Sequence, residues 1–447
     1  MNAAAALTGA VERYGRAIEA RLATPAEPQP AWLAGRRREA VKRFAEAGFP
    51  DAKSEAWRYT PLQGLLGQDF RPGSEDFTAL VESDIEELLL QVTDHPLLVF
   101  VNGRFAPTLS RPPTLSAGVR VGSLRDALAL GRGPQMERSL APRGDAHAFE
   151  SMNEALFEDG GFIHVAAGQR IDSPVELLFI TVGLDEPAMH HPRNVLYLEA
   201  GAQATVVERY ASLGPSRYFT NVLTVVQLET GARLDHLRVQ EESAAAFHMG
   251  GVRIRQAAGS HYVGLGVSLG GAWSRCEHRV DFQGPGAAFE LDGLYLAGER
   301  QFVDHHIDVR HSVPGCRSRE TFKGLLYGAG RAVFDGRIVV ERDAQKTEAA
   351  LNNANLLLSR NAEVDTKPQL EIYADDVKAS HGAAVGQIQP AELFYLRSRG
   401  IPENEARQML CLGFAQEVLE ACSLPALRER IAADVARRIG SVTGREG

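Results

Sequence analysis

A chain of 447 residues is longer than one compact core of ordinary size organises, which leaves two or three domains, or one elongated repeat domain with caps. With 57 acidic against 48 basic side chains, a formal charge of −9 and a pI near 5.9, it lacks the basic face that displaces counterions from phosphates, so non-specific nucleic-acid binding is excluded. Four cysteines without paired spacing fit a reducing compartment, the alanine-rich start meets Glu12 and Arg13 before any signal-peptide core, and no apolar run approaches the ~18 residues of a membrane helix; a cytoplasmic protein with no membrane partner is expected.

Residues 1–96 read as an N-terminal helical region. "VERYGRAIEARL" and "WLAGRRREAVKRFAEAGF" carry apolar groups at three- and four-residue spacing on either side of the proline-rich "TPAEPQP", which predicts a helical pair. Arg36, Arg37, Arg38, Lys42 and Arg43, interrupted by Glu39, make a solvated helix face. "SEAWRYTPL" follows, its Trp57 and Tyr59 suited to anchor this region and cap an exposed strand edge. "IEELLLQ" suggests one more short helix.

From 97 to 388 the texture changes to short runs of Val, Leu, Ile and Phe punctuated by glycine turns. Gly168, Gly201, Gly231, Gly259, Gly286, Gly330 and Asn361 stand 33, 30, 28, 27, 44 and 31 residues apart, a repeat of about 30 residues with one apparent insertion. Two strands and two turns fill such a unit without a helix, so a mainly β fold of stacked parallel strands is predicted over this span, with the marker residue supplying a positive φ at a tight corner. An antiparallel sandwich ranks second, because its strands recur at shorter intervals.

Helices return over 389–447. Pro390 to Arg399 stops at Gly400, a second runs from Pro402 to about Ala421, and a third from Pro425 to about Ile439 behind Ser423 as cap. Leu410, Phe414 and Val418, with Ala406 and Ala421, form the apolar stripe of the middle one. A bundle of this kind, appended to the end of a solenoid, faces either the core or a partner.

Residues with chemical potential are few. There is no G-x-x-x-x-G-K-[ST] loop to hold a nucleotide, no Cys-x-x-Cys, and no G-x-S-x-G elbow. Cys276, Cys316, Cys411 and Cys422 are too scattered for a cluster held by this chain's thiolates alone, and Cys411 and Cys422 read as buried small hydrophobes. In "VDHHIDVRHSVPGC" (303–316) strand alternation sends His305, Ile307, Val309 and His311 one way and Asp304, His306, Asp308 and Arg310 the other. The second set reads as an ion-paired row facing solvent; His305 and His311 lie too far apart along a strand to share one ion. His381, in "KASHGAAVGQI", has no second histidine nearby, so any partner of its imidazole comes from the fold or from another chain.

These same stretches carry a resemblance. "SEAWRYTPL", "VDHHIDVRHSVPGCRSRETFKGLL", "DVKASHGAAVGQI" and "LFYLRSRGIPENEARQMLCLGF", in this order around a strand repeat, resemble the SufB/SufD family of iron–sulfur cluster assembly proteins over nearly the whole chain. The resemblance implies a right-handed parallel β-helix between helical N- and C-terminal regions. It also implies a non-catalytic scaffold that pairs with its paralogue through the β-helix end and binds the ABC-type ATPase SufC through its C-terminal helices, with Phe394, Tyr395, Arg399, Met409 and Phe414 as docking residues. A transient iron–sulfur cluster, none being held stably by this chain alone, is implied at the junction with SufB, with His381 as a ligand or proton-handling group shared with the partner chain. Two departures set the sequence apart from the SufB pattern: His381-Gly382-Ala383 replaces His-Glu-Ala, and no cysteine stands near Asn361. The sulfur-accepting thiol then belongs to the partner, and the chain resembles the SufD branch. Neutral imidazole suits iron, and an interface lets two chains contribute ligands that neither gathers alone.

A SufB-like scaffold, a β-helical carbohydrate-active enzyme and a purely self-associating solenoid are the alternatives; no tight carboxylate pair recurs in register to favour the second. A homodimer in the absence of partners is compatible with the first reading.

Overall fold

In a computed structural model, residues 3–23, 30–73, 80–90, 92, 95–112, 117–131, 133–141, 144, 146–183 and 186–443 are described. The proline-rich separator at 24–29 lies outside them. Two long sheets dominate, one of eleven strands and one of ten. From Arg193–Leu198 to Lys378–Gly386 the chain passes alternately between them, and each strand pairs in parallel with the strand two along in sequence; just before, Gly161–Val165 and Val175–Val182 pair three along because the short strand Ala188–His190 is an extra member of the first sheet. This is a parallel β-solenoid, mainly β and flanked by helices at both ends of the sequence. Before Gly161 the chain is mixed. Leu97–Val101 joins the second sheet in parallel and Val119–Ser123 closes the first sheet antiparallel, and the helices Leu124–Ala129, Gly133–Ser139 and Ala148–Leu156 come between.

Residues one repeat apart stack in columns along the lumen. Phe100, Phe179 and Tyr210 stack with ring centroids 4.6 and 4.9 Å apart, close to the spacing of hydrogen-bonded strands. The corner from the first sheet to the second recurs at Gly168, Gly201, Gly231, Gly259, Gly286, Gly315 and Lys346, each with φ between +62° and +72°. Successive corners are tied by bonds such as the Gly259 amide to the Pro285 carbonyl and the Gly286 amide to the Pro314 carbonyl. The expected insertion between Gly286 and Gly330 therefore does not exist. Gly330 and Asn361 belong to the opposite corner, where the chain returns to the first sheet, and neither has a positive φ.

Both helical regions lie on the flanks of the solenoid, each covering the outer face of one sheet. Ala3–Ala23 and Ala31–Ala47 pack with Ala148–Leu156 over the first sheet through Phe44, Phe49, Trp57, Phe149, Phe219 and Trp273. Glu403–Glu420 and Pro425–Thr443 cover Val207, Leu237, Leu265, Leu294 and Leu325 of the second. The face that Glu403–Glu420 buries carries Ala406, Cys411, Ala415, Val418 and Leu419, while Leu410 and Phe414 stay half-buried. Small side chains let the helix lie close on the flat sheet, which rotates it away from the expected stripe. The bundle thus sits on the side of the solenoid, not on its end.

"SEAWRYTPL" departs from expectation in the same way. Trp57 is buried on the first sheet with the Arg275 guanidinium 3.9 Å above its ring. Thr60 donates to Asp304 (2.5 Å), Arg275 donates to the same carboxylate (2.6 Å), and the Trp273 indole donates to the Pro61 carbonyl (3.0 Å). Tyr59 stays exposed. The segment is a clamp on the flank of the solenoid and leaves its end uncovered.

Candidate functional site

The last coil consists of Glu363–Ile372 and Lys378–Gly386, the terminal strands of the two sheets. Each pairs on one side only. Ile372, Tyr373 and Val385 are large apolar residues left exposed here, an arrangement that a lone soluble chain ordinarily avoids at an unpaired edge.

His381 sits in this coil, in register with Leu351 of the coil below. Leu351 is wholly buried in the core, so the alternation that points Leu351 into the lumen points His381 the same way. With no further coil above it, His381 is exposed at the mouth. Ala383 and Val385 continue the lumen-facing row above Asn353 and Asn355. Those two asparagines form a fixed floor with Tyr295: the phenol donates to Asn355 (2.5 Å), Asn353 donates to the phenol oxygen (3.1 Å), and Asn355 donates to Asn353 (2.7 Å).

Among the described residues, no group of three His, Cys, Asp or Glu ligand atoms gathers at His381. The group that does converge, His147, Glu150 and Glu277, lies under the N-terminal clamp amid Arg253, Arg275 and Arg279; three guanidiniums make it an ion-pair network rather than a cation site. The four cysteines are buried. Burial pushes the Cys276 thiol up, against the Arg238 charge that pulls it down, and pushes Cys411 up to about 12, so neither is a ready nucleophile. His381 is therefore a lone chemical group at an open mouth.

The histidines of 303–316 are divided by the sheet. His305 points inward between the rings of Tyr295 and Phe322; burial, then the nearby Arg238 charge, lowers it to about 3. His311 bonds Ser318 (3.1 Å), and burial lowers it to about 4. Both are neutral lumen groups. The outward row is only partly in solvent: Asp304 is wholly buried beneath the clamp, where burial lifts it to about 6 against the pull of Arg275 and Thr60, and His306 lies within 3.7 Å of both Asp304 and Asp335. The covering segment is distant in sequence, which is why the alternation alone left this row exposed.

The helix Pro390–Ser398 has no buried residue. Phe394 and Tyr395 are largely exposed, Arg399 lies over the Tyr395 ring, and Met409 is half-exposed on the following helix. Phe414 differs: its ring lies under Lys323, which also donates to the Phe414 carbonyl (2.9 Å) and pairs with Glu417 (2.6 Å). It joins the helix to the sheet. What sequence reasoning missed is the polar lumen, in which Glu208, His236, Arg238, His248, Cys276 and Glu320 are buried; the inward parity of these residues was the signal.

A parallel β-solenoid clamped on both flanks, with His381 and an apolar strand edge exposed at its open end, is the class of protein that the fold and the site define. Comparison with known proteins makes this particular. Residues 179–414 match the family described as "SUF system FeS cluster assembly, SufBD core domain" and residues 12–177 match "SufBD protein N-terminal region". The chain is 34% identical over 401 residues to the iron–sulfur cluster assembly protein SufD of Escherichia coli, covering 89% of this chain and 91% of that protein. It is 31% identical to an iron–sulfur cluster assembly SufBD family protein of Synechocystis sp., covering 89% of each, and 23% identical to SufD of Bacillus subtilis, covering 92% of this chain and 95% of that one. The chain belongs to the SufBD family and is an iron–sulfur cluster assembly protein of the SufD type. Among the described residues, no helix is long and apolar enough to cross a membrane.

Proposed function

We propose that this chain is the non-catalytic SufD subunit of a SufBCD complex: its open end pairs with SufB, its C-terminal helices dock the SufC ATPase, and a transient iron–sulfur cluster forms at the junction. The observation that carries this reading is the exposed, lumen-facing position of His381 on a coil whose outer edges lack partners. A strand of another chain on that edge would satisfy its backbone donors and acceptors. It would also bring a second set of side chains to the His381 imidazole, a nitrogen donor of the kind that suits iron. Burial of all four thiols favours a partner as the source of the sulfur-accepting cysteine. Phe394, Tyr395, Arg399 and Met409 supply the exposed aromatic and cationic surface for SufC, with Phe414 holding that surface to the solenoid.

Co-expression with SufB and SufC tests the reading. The three chains are expected to co-elute, and His381→Ala is expected to leave the complex assembled while abolishing cluster formation. Failure to co-elute would remove the scaffold reading, and full cluster formation by the variant would remove the role of His381. Without SufB, self-association through the same edge is the expected behaviour of the isolated chain.

A further inference from the structure

Two coils below the mouth, Glu320 points into the lumen. The register runs Leu291, Glu320, Leu351, His381, so an apolar side chain lies above and below the carboxyl and Leu351 separates it from His381. Two strand spacings put about 10 Å between the backbones of Glu320 and His381. Glu320 is wholly buried. Neither of its carboxylate oxygens has a hydrogen-bond partner among the described residues, and the nearby Ser318 hydroxyl is engaged by His311.

Little charge faces this group. His305, His311 and Tyr295, which line the same stretch of lumen, are held neutral by burial. Arg319, adjacent on the strand, points outward to Asp292 and Glu290. Asp335, Arg337, Glu348 and Lys378 of the neighbouring strands alternate outward as well. An ionised carboxylate in this position would be an unpaired charge in an apolar lumen, an arrangement the protein escapes either by keeping the proton or by letting water in.

We propose that the end of the solenoid is a proton-sensitive cap: a proton on Glu320 keeps the last two coils closed, and losing it favours their opening toward water through the mouth that carries His381. The direction of opening follows from the packing. The terminal helices pack mostly on the coils up to Glu320; above it their contact thins to Val333, Leu356 and Leu358 at the margins of the two apolar layers and to the part-exposed Glu55–Lys367 ion pair. Above it, Glu363–Ile372 and Lys378–Gly386 are exposed or half-buried along nearly their whole length and pair on one side only, which are the marks of a segment that opens at low cost. Burial pushes the carboxyl up to about 8, against the pull of Ser318 and Arg319 the other way. The closed state therefore binds the proton more tightly than the open state. The opening equilibrium rises about tenfold per pH unit between the ordinary glutamate range and 8.

Hydrogen exchange of the full chain between pH 5.5 and 7.5, corrected for the intrinsic pH dependence of amide exchange, tests this. Protection of the strands Glu348–Leu357 and Lys378–Gly386 is expected to fall about a hundredfold over that range, and in Glu320→Gln to stay level. Protection of Arg233–Glu241 is expected to stay above that of these two strands at every pH, because the end opens without the rest of the solenoid unfolding. Glu320→Met, also without a titrating group, replaces the first variant if that one does not fold. A His381→Ala background removes the imidazole at the mouth as a source of pH dependence, and two protein concentrations separate self-association from the proton effect. The same fall in the variants, or none in the native chain, would overturn the proposal. Because the isolated chain suffices, the outcome is independent of pairing with SufB.

Discussion

Glu208 and Glu320 project into one lumen from one sheet, and their surroundings could hardly differ more. Glu208 accepts from Tyr210 (2.7 Å) and Thr224 (2.8 Å), pairs with His236 at 3.0 Å, and has Arg238 at 3.4 Å. Burial pushes its carboxyl up, but these partners outweigh it and hold it at about 2. Arg238 reaches across the lumen to Cys276 and His248. Gly250 makes the room, since a Cβ there would meet the guanidinium at 2.3 Å. The flanked half of the solenoid is thus an electrostatically completed core. Toward the mouth, beside the bonded floor of Tyr295, Asn353 and Asn355, stand groups left unfinished: the Glu320 carboxyl without a hydrogen-bond partner among the described residues, the exposed His381 imidazole, and strand edges without neighbours. The contrast indicates that rigidity is concentrated where the helices clamp the coils, and that the free end is kept available.

Breaking the completed half should cost most. Glu208→Leu leaves Arg238 buried without its anion and is expected to lose about 3–5 kcal/mol in urea unfolding; a loss under 1 kcal/mol would mean that the network is not a stabilising core. At the unfinished end the sign reverses. The ordinary glutamate value is near 4.5 and the folded value about 8, so the stability linked to this proton is fully present below 4.5 and is lost as pH rises to 8. Glu320→Gln should match the native chain at pH 4 and exceed it by about 3 kcal/mol at pH 7. Equal pH profiles in denaturant titrations would contradict the contrast.

Smaller effects sharpen it. Thr60→Val removes a donor to the buried Asp304 and should cost about 1–2 kcal/mol, read by thermal unfolding, because Arg275 continues to hold that carboxylate. Phe394→Ala and Tyr395→Ala touch nothing buried and should change stability by no more than ~0.5 kcal/mol, while reducing co-purification with SufC. A large stability loss would show that the helix Pro390–Ser398 belongs to the core after all.

The parallel strand stack and its corner glycines were legible because one turn geometry recurs and only glycine adopts it freely. The corner count failed where glycine ceased to be diagnostic: Lys346 takes the positive φ in the next-to-last coil, and Gly330, on the other corner, looked like a marker of the same kind. Inward and outward parity along 303–311 was readable, but burial of Asp304 was not, because it depends on Thr60, 244 residues away. The face of Glu403–Glu420 was misjudged for a related reason. Hydrophobic size suggested Leu410 and Phe414, whereas close approach to a flat sheet selected alanine and cysteine. His381 could be singled out from sequence. Its place at an open lumen mouth required the register with Leu351.

The most direct test of the central claim is photo-cross-linking in the co-expressed SufB–SufC complex, with a photoreactive residue at Val385 on the open edge or at Leu130, which is exposed but remote from it. Cross-links to SufB from position 385 and none from 130 are the predicted result. Cross-links from 130 alone, or equally from both, would contradict an end-on junction built around His381.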